Sequence, residues 1–330
     1  MGKLIYLDNA ATTKTAPEVV DAMLPYFTEH FGNPSSVYGF AAANKEVITK
    51  QREIIAKALG AKTEEIYFTA GGSESDNWAL KATAEAYESK GKHIITTKIE
   101  HHAILHTGEY LQKKGYEVTY LDVDEMNIDM LSSSGHKLNG PKGIGFLYIR
   151  KGVKIRSFIH GGAQERKRRA GTENVPGIVG YGKAVELAMA SMEQRMKHET
   201  ELRDYAIARI ENEIPYCRLN GDRVKRVPNN INFSFQFVEG ESLLIMLDMK
   251  GICASSGSAC TSGSLDPSHV LLAIGLPHEI AHGSLRMSIG ADTTKEDIDY
   301  TIDQLKEIVA HLRSMSPLYE DFMKKQQKNA

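Results

Sequence analysis

Apolar positions recur along this chain with two periods, and the switches between them lay out its elements. Val20, Met23, Leu24, Phe27 and Phe31 follow Pro17 at helical spacing and predict a helix that Gly32-Asn-Pro34 stops. A second helix carries Val47, Gln51, Ile54, Ile55 and Leu59 and closes at Gly60. Short runs at 4–7, 65–69, 94–99, 116–123, 128–131 and 144–149 read as strands. Helices from Trp78 through Leu80 to Gly91, and over 102–115, separate several of them. Strands alternating with helices predict an α/β fold with a mostly parallel sheet flanked by helices. Past a long helical region of about 178–214, the pattern changes to strands separated by turns. Residues 230–235 alternate apolar and polar side chains, as a half-buried strand does. A closing helix aligns Ile298, Ile302, Leu305, Val309 and Leu312, and the polar tail 324–330 is expected to fray.

Composition narrows the class. At 330 residues the chain can bury a large core in one big domain and a smaller one, and 42% hydrophobic with 25% charged residues is ordinary for a soluble protein. A net charge of −2 gives no reason to expect nucleic acid or an acidic membrane as partner. The basic run Arg166-Lys-Arg-Arg169, set between glycines, suits one small anion better than a polymer. No apolar run approaches the roughly 20 residues of a membrane span. The first residues lack a signal peptide's long apolar stretch, so the cytoplasm is the expected location. Cys217, Cys253 and Cys260 form neither a disulfide framework nor a CxxC metal pair.

Candidate chemistry gathers at the strand ends. Lys137, in Ser132-Ser-Ser-Gly-His-Lys137, sits just past a strand and before a glycine turn, where α/β sheets collect ligands. It reads either as a solvated surface lysine or as an amine that forms a Schiff base, which needs a polar yet enclosed setting. Gly71-Gly-Ser-Glu-Ser-Asp-Asn77 joins a strand to a helix; Gly72 lets the backbone approach closely, and Ser73 can serve as N-cap or hydroxyl donor. That turn reads as a phosphate seat or as a simple capped turn. Dinucleotide and P-loop fingerprints are absent from it. His101, in Glu100-His101-His102, could stack on a flat ring or move protons, whereas His102 and His106 make a weak metal pair. A phosphate seat, a stacking histidine and a reactive amine suit pyridoxal phosphate. Cys260 lies among glycines and serines in Ser255-Ser-Gly-Ser-Ala-Cys-Thr-Ser-Gly-Ser264, a flexible tether for a moving thiol or an incidental loop. Cys217 and Cys253 fit the structural role of a buried cysteine better. Arg286, in Ser284-Leu-Arg-Met-Ser288, needs a carboxylate, either an internal one or that of an amino-acid substrate.

Taken together, these motifs resemble the NifS/IscS-like cysteine desulfurases, members of the class V aminotransferases. The similarity runs from Tyr6-Leu-Asp-Asn-Ala-Ala-Thr-Thr13 through Gly171-Thr-Glu-Asn174 to Leu285-Arg-Met-Ser-Ile-Gly290 and covers nearly the whole chain. The resemblance implies a fold-type I homodimer, with a large pyridoxal-phosphate domain at 15–194 and a small domain of 1–14 and 195–330 carrying the cysteine loop. It implies that Lys137 holds the cofactor as a Schiff base and acts as base at the substrate Cα, while His101 stacks on the ring. Gly72, Ser73, Ser134, Gly135 and His136 would hold the phosphate, joined by Thr172 across the dimer. Asn9 and Arg286 would bind L-cysteine, and Cys260 would take its sulfur as a persulfide for iron–sulfur clusters or thiolated tRNA. The partners implied are a sulfur acceptor or an iron–sulfur scaffold protein, with Cys260 as a shared [2Fe–2S] ligand.

One departure stands out. In the family, the strand matching Tyr120-Leu-Asp-Val-Asp124 leads into a long stretch, whereas here Glu125 runs straight into Met126. The missing piece amounts to two βαβ units, on the order of 60 residues. It would carry an Asn-Asn-Glu-Ile-Gly-Thr loop and an Asp-Ala-Val-Gln strand end whose aspartate meets the pyridinium nitrogen. Asp124 and Asp129 flank the junction, and the family places neither at the ring. A truncated sheet and a weakened electron sink follow, so the alternatives are a catalytically impaired relative or another fold-type I enzyme such as a selenocysteine lyase.

Overall fold

The computed structural model describes residues 3–121, 129–256 and 267–329. The chain divides into two units: Thr13–Ser191, and Met1–Thr12 together with Met192–Ala330. In chain order, β1 (Ile5–Tyr6) precedes α1 (Pro17–Met23), α2 (Pro25–Thr28) and α3 (Gly39–Leu59). Next come β2 (Ile66–Thr69), α4 (Gly72–Tyr87), β3 (His93–Thr97), α5 (His102–Gln112), β4 (Glu117–Leu121), β5 (Met130–Ser134) and β6 (Gly145–Ile149). The short α6 (Gln164–Lys167) leads to α7 (Val175–Glu213). After it the chain forms β7 (Cys217–Leu219), β8 (Asn230–Phe235), α8 (Gly240–Asp248), β9 (Ile252–Cys253), α9 (His269–Ala273), α10 (His278–His282), β10 (Ser284–Ser288), α11 (Lys295–Ser314) and α12 (Pro317–Asn329).

Local chemistry explains most boundaries. The first helix does not run on to Phe31: Pro25 has no N–H to donate, so α1 closes with Leu24 N–H on the Val20 carbonyl and α2 restarts at Pro25. Helix α3 ends on Gly60 at φ 64, the left-handed conformation that glycine takes without a side-chain clash. Thr294 and Asp297 cap α11 reciprocally. Residues 324–329 of the tail expected to fray are instead the last turns of helix α12, and ahead of them Phe322 of the same helix packs on Tyr216 and Phe237.

In the larger unit, β6 lies between β2 and β5 and runs antiparallel to both, while β3 and β4 form a separate parallel pair. The architecture is therefore mixed α/β, and the parallel sheet foreseen from the alternation is interrupted. Chain length explains the interruption: eight residues, 122–129, join β4 to β5, fewer than the dozen or more that a parallel crossover needs. Ile48, Ile55, Ile66, Phe68, Phe146 and Ile178 pack one core of this unit. In the other unit β10, β8 and β7 form an antiparallel sheet, and β1 pairs in parallel with β9. Ile231, Phe233 and Phe235 of β8 pack there against Ile298, Ile302 and Leu305 of α11.

An ion pair anchors the loop before α7. Arg52 and Glu165 meet as a bidentate fork at 2.7 and 2.7 Å, and both side chains are buried. Arg52 also donates to the Ile66 carbonyl, and Glu165 accepts the Phe68 N–H, so both ends lock onto β2. Glu165, Arg166 and Lys167 adopt φ of 44, 58 and 66, which non-glycine residues take only where surroundings hold them. Removing one partner strands a buried charge. Arg52→Ala is expected to cost about 3–5 kcal/mol, read as a lower denaturant midpoint with an unchanged slope; a loss below 1 kcal/mol would mean the pair is not the anchor.

Candidate active site

The site in the larger unit is built where β2, β5 and β6 meet. Helix α4 begins at Gly72, with Gly71 at φ 156 as its N-cap, so the stretch read as a loop is mostly first helical turn. Ser73 is therefore not the cap; it is an exposed residue of that turn. The first N–H groups of a helix lack intrahelical acceptors and carry positive potential. Glu74 accepts the Ala70 N–H and pairs with Arg169 at 2.8 and 3.0 Å, which balances its charge beside the helix start.

Glycines bring the backbones together. A methyl group built on Gly145 lies 2.5 Å from the Ser133 carbonyl and 2.8 Å from the Gly71 backbone, so only glycine fits there. One built on Gly72 sits 3.7 Å from Ser134 Cβ, which puts the Ser134 hydroxyl against the start of α4. Gly135, buried at the end of β5, opens a 3-10 turn, Gly135–Lys137. Thr13 fixes that turn: its N–H and hydroxyl both donate to the His136 carbonyl, at 2.8 and 2.7 Å, and its hydroxyl accepts the Asn139 N–H. Sequence reasoning gave Thr13 no role, although it sits in the same polar motif as Asn9. From below, the Tyr181 hydroxyl donates to Ser133 Oγ.

The titratable side chains sit as follows. Lys137 is exposed, not enclosed as a reactive amine was expected to be, because it projects from the turn beyond β5. Burial first, then the Lys137 and Lys142 charges, holds the His136 imidazole below its ordinary 6.5. His101 is exposed and serves as N-cap of α5, its Nδ1 accepting the Ala103 N–H at 3.1 Å. That leaves Nε2 as the N–H nitrogen of the neutral ring. The His102 and His106 rings lie 5.2 Å apart between centroids, tilted by 41°, and no group of three or more metal-ligating side chains occurs among the described residues. Thr172 is exposed on the loop before α7. Asp129 pairs with Arg150 at 3.2 Å. Asp124 and Cys260 lie outside the described residues.

In the smaller unit, Arg286 of β10 donates to Asp8 Oδ1 at 3.0 Å, and its buried Nε meets no hydrogen-bond acceptor among the described residues. The internal carboxylate partner weighed from sequence is thus present, and the guanidinium keeps donor capacity beyond it. Asn9 donates to the Ser288 carbonyl at 2.9 Å and so ties the N-terminal strand to β10. Burial raises the thiols of Cys217 and Cys253 above their ordinary value, as in structural cysteines.

A helix N-terminus, a serine hydroxyl, an imidazole and a lysine grouped at strand ends define a class: α/β enzymes that hold a phosphorylated carbonyl cofactor on a lysine. Comparison with known proteins carries this further. The aminotransferase class-V family matches residues 5–126 and 120–301. Cysteine desulfurase IscS of Clostridium botulinum is 50% identical over 392 residues, covering 98% of this chain and 99% of the relative. That of Methanosarcina thermophila is 49% identical, covering 96% and 94%. Among solved structures, a NifS-like protein superposes with a TM-score of 0.86 at 32% identity, covering 94% of this chain and 100% of that one. SspA in complex with cysteine gives 0.73 at 33%, covering 86% and 98%. The chain belongs to the class V aminotransferase family, in its NifS/IscS-like branch. Members of this family depend on pyridoxal 5′-phosphate, and the donor set fits it: the glycine cradle and Ser134 for phosphate, Lys137 for the aldehyde.

The comparison also bears on length. An alignment over 392 residues leaves at least 62 of them, 392 less 330, without a counterpart here. The family match breaks at 120–126, where the sequence departs from the family pattern.

Two outcomes follow. Gly145→Val forces the cradle apart, so it should weaken cofactor phosphate binding at least about tenfold, with stability lower by about 1–3 kcal/mol; unchanged affinity would dissociate the cradle from the cofactor. The depressed His136 pKa contributes stability that is present above the unfolded value near 6.5 and lost as pH falls through the lower folded value. An NMR titration of its ring should have a midpoint below 6.5, and a midpoint above it would contradict the geometry.

Proposed function

We propose that the chain is a pyridoxal-phosphate-dependent cysteine desulfurase. It converts L-cysteine to L-alanine and leaves the sulfur as a persulfide on Cys260, for iron–sulfur cluster assembly or tRNA thiolation. The observation that carries this reading is the glycine-lined approach of the α4 start to Ser134, with Lys137 three residues further along the same turn. In this reading Gly72, Ser73, Ser134, Gly135 and His136 hold the phosphate, and Thr172 does so across a homodimer. The relatives named cysteine desulfurase support the substrate, as does the structural neighbour SspA, solved in complex with cysteine.

When bound, the cofactor supplies an electron sink for charge developing at the substrate Cα. Lys137 Nζ would hold the cofactor aldehyde and take the proton from the substrate Cα. His101 would lie against the cofactor ring and move protons with Nε2. The Arg286 fork, with Asn9, orients the substrate carboxylate through donors that Asp8 leaves over. Cys260 attacks as a thiolate. A bond forms between its sulfur and the substrate sulfur, the substrate C–S bond breaks, and the electron pair passes to carbon. That carbon is then protonated to give alanine, so atoms and electrons balance. The same Cys260 is the ligand an iron–sulfur scaffold partner would share.

One observation favours a second reading, a relative that seats the cofactor but turns over slowly. The larger unit's strands form two separate sheets, and at least 62 aligned residues are absent. Alanine and sulfide release from L-cysteine separates the two. The desulfurase reading expects both products in equal amounts under reductant. Lys137→Ala should lower the rate by at least about 10²-fold, the scale of a lost general base, and Cys260→Ala should abolish sulfide. Full sulfide production by Cys260→Ala would remove the persulfide role. A cofactor-loaded wild type that releases neither product would leave the second reading standing.

A further inference from the structure

Two strand edges in the larger unit face a common cleft. β5 is bonded through one edge to β6 and β3 through one edge to β4; among the described residues their other edges meet no strand. Between them opens a cleft of about 580 Å³, lined by Met130 and Ser132 of β5, His93 and Ile94 of β3, and Leu80 and Thr83 of α4. Strands inside an α/β sheet are covered on both faces, yet Ile95, in the middle of β3, is 60% exposed. An open edge with exposed apolar residues is a template for another strand. Unexplained by the site above, the cleft coincides with the break in chain order. The family match splits at 120–126, between β4 and β5, and relatives carry at least 62 residues (392 less 330) that this chain lacks.

We propose that this cleft is a docking site for a separate polypeptide that supplies the absent strands in trans. The partner is a βαβ-type segment of the length its relatives carry at the break. Its apolar strands add to the free edges of β5 and β3 and lie on the cleft face of α4, so backbone hydrogen bonds supply affinity and alternate side chains fill the cleft. The inference rests on family membership and not on the desulfurase reading.

The test mixes the full chain with a synthetic polypeptide bearing the sequence that the Clostridium botulinum relative carries across the break. A one-to-one complex should form, and amide exchange at His93–Thr97 and Met130–Ser134 should slow by roughly tenfold or more, as edges become interior strands. Thr83→Trp fills the cleft from α4 and should weaken binding at least tenfold; should that variant unfold, the wild-type exchange pattern still decides. No complex, or a complex that leaves both strands exchanging as before, overturns the proposal. So does equal protection on raising the concentration of the chain alone, which would give the edges to a second copy. Because the readout is backbone exchange, a chain that binds the segment yet releases no sulfide fails the desulfurase reading alone.

Discussion

The turn after β2 lies against the first residue of β6 with no room for a side chain between them, and the candidate site is a consequence of that contact. Gly145 meets the Gly71 backbone so closely that a methyl group would stand 2.8 Å from it. The contact fixes where α4 begins, and therefore where its free N–H groups point. It also aligns the end of β5, since Ser134 pairs with Gly145 and Lys137 follows within one 3-10 turn. The start of α4 and the turn that bears Lys137 become neighbours through backbone packing, without any charged side chain setting the distance.

Charged pairs then hold the surrounding loops in shape. The Arg52–Glu165 fork ties the left-handed turn at 165–167 to β2, and Arg169 on Glu74 ties the next residues to the first turn of α4. Buried pairs contribute little net stability but make the alternative arrangements costly, because breaking one leaves a charge unpaired. Thr13 does the same work with neutral groups, clamping the His136 carbonyl through two hydrogen bonds. The loop that bears Thr172 and the turn that bears Lys137 are thereby both fixed from within the larger unit.

Much of this was legible in the residues. Helical periodicity locates α3, α7 and α11, and the glycine, histidine and lysine motifs mark strand ends. Local pattern failed where a single residue or a distant partner decides. Pro25 split a helix whose apolar spacing continued past it. Helix α4 starts six residues earlier than expected, at Gly72 instead of Trp78, because small polar residues read as loop when the strand they pack against is out of view. The antiparallel direction of β6 depends on pairing, and alternation of elements carries no sign for direction. Asp8 as the partner of Arg286 spans 278 residues of sequence, a separation no local pattern reports. Family motifs supplied roles for Lys137, Cys260 and Arg286 that composition and spacing alone left open.

The family match breaks between the elements β4 and β5, and the Gly71–Gly145 contact is nonetheless in place, so cofactor attachment and sulfur chemistry are separable questions. The account turns on which nitrogen carries the cofactor. Borohydride reduction of the chain incubated with pyridoxal 5′-phosphate, followed by peptide mass mapping, answers it directly. The reduced cofactor should appear on the peptide containing Lys137, in one-to-one amount and abolished by competing inorganic phosphate. Label spread over several surface lysines, or absent from Lys137, would contradict it.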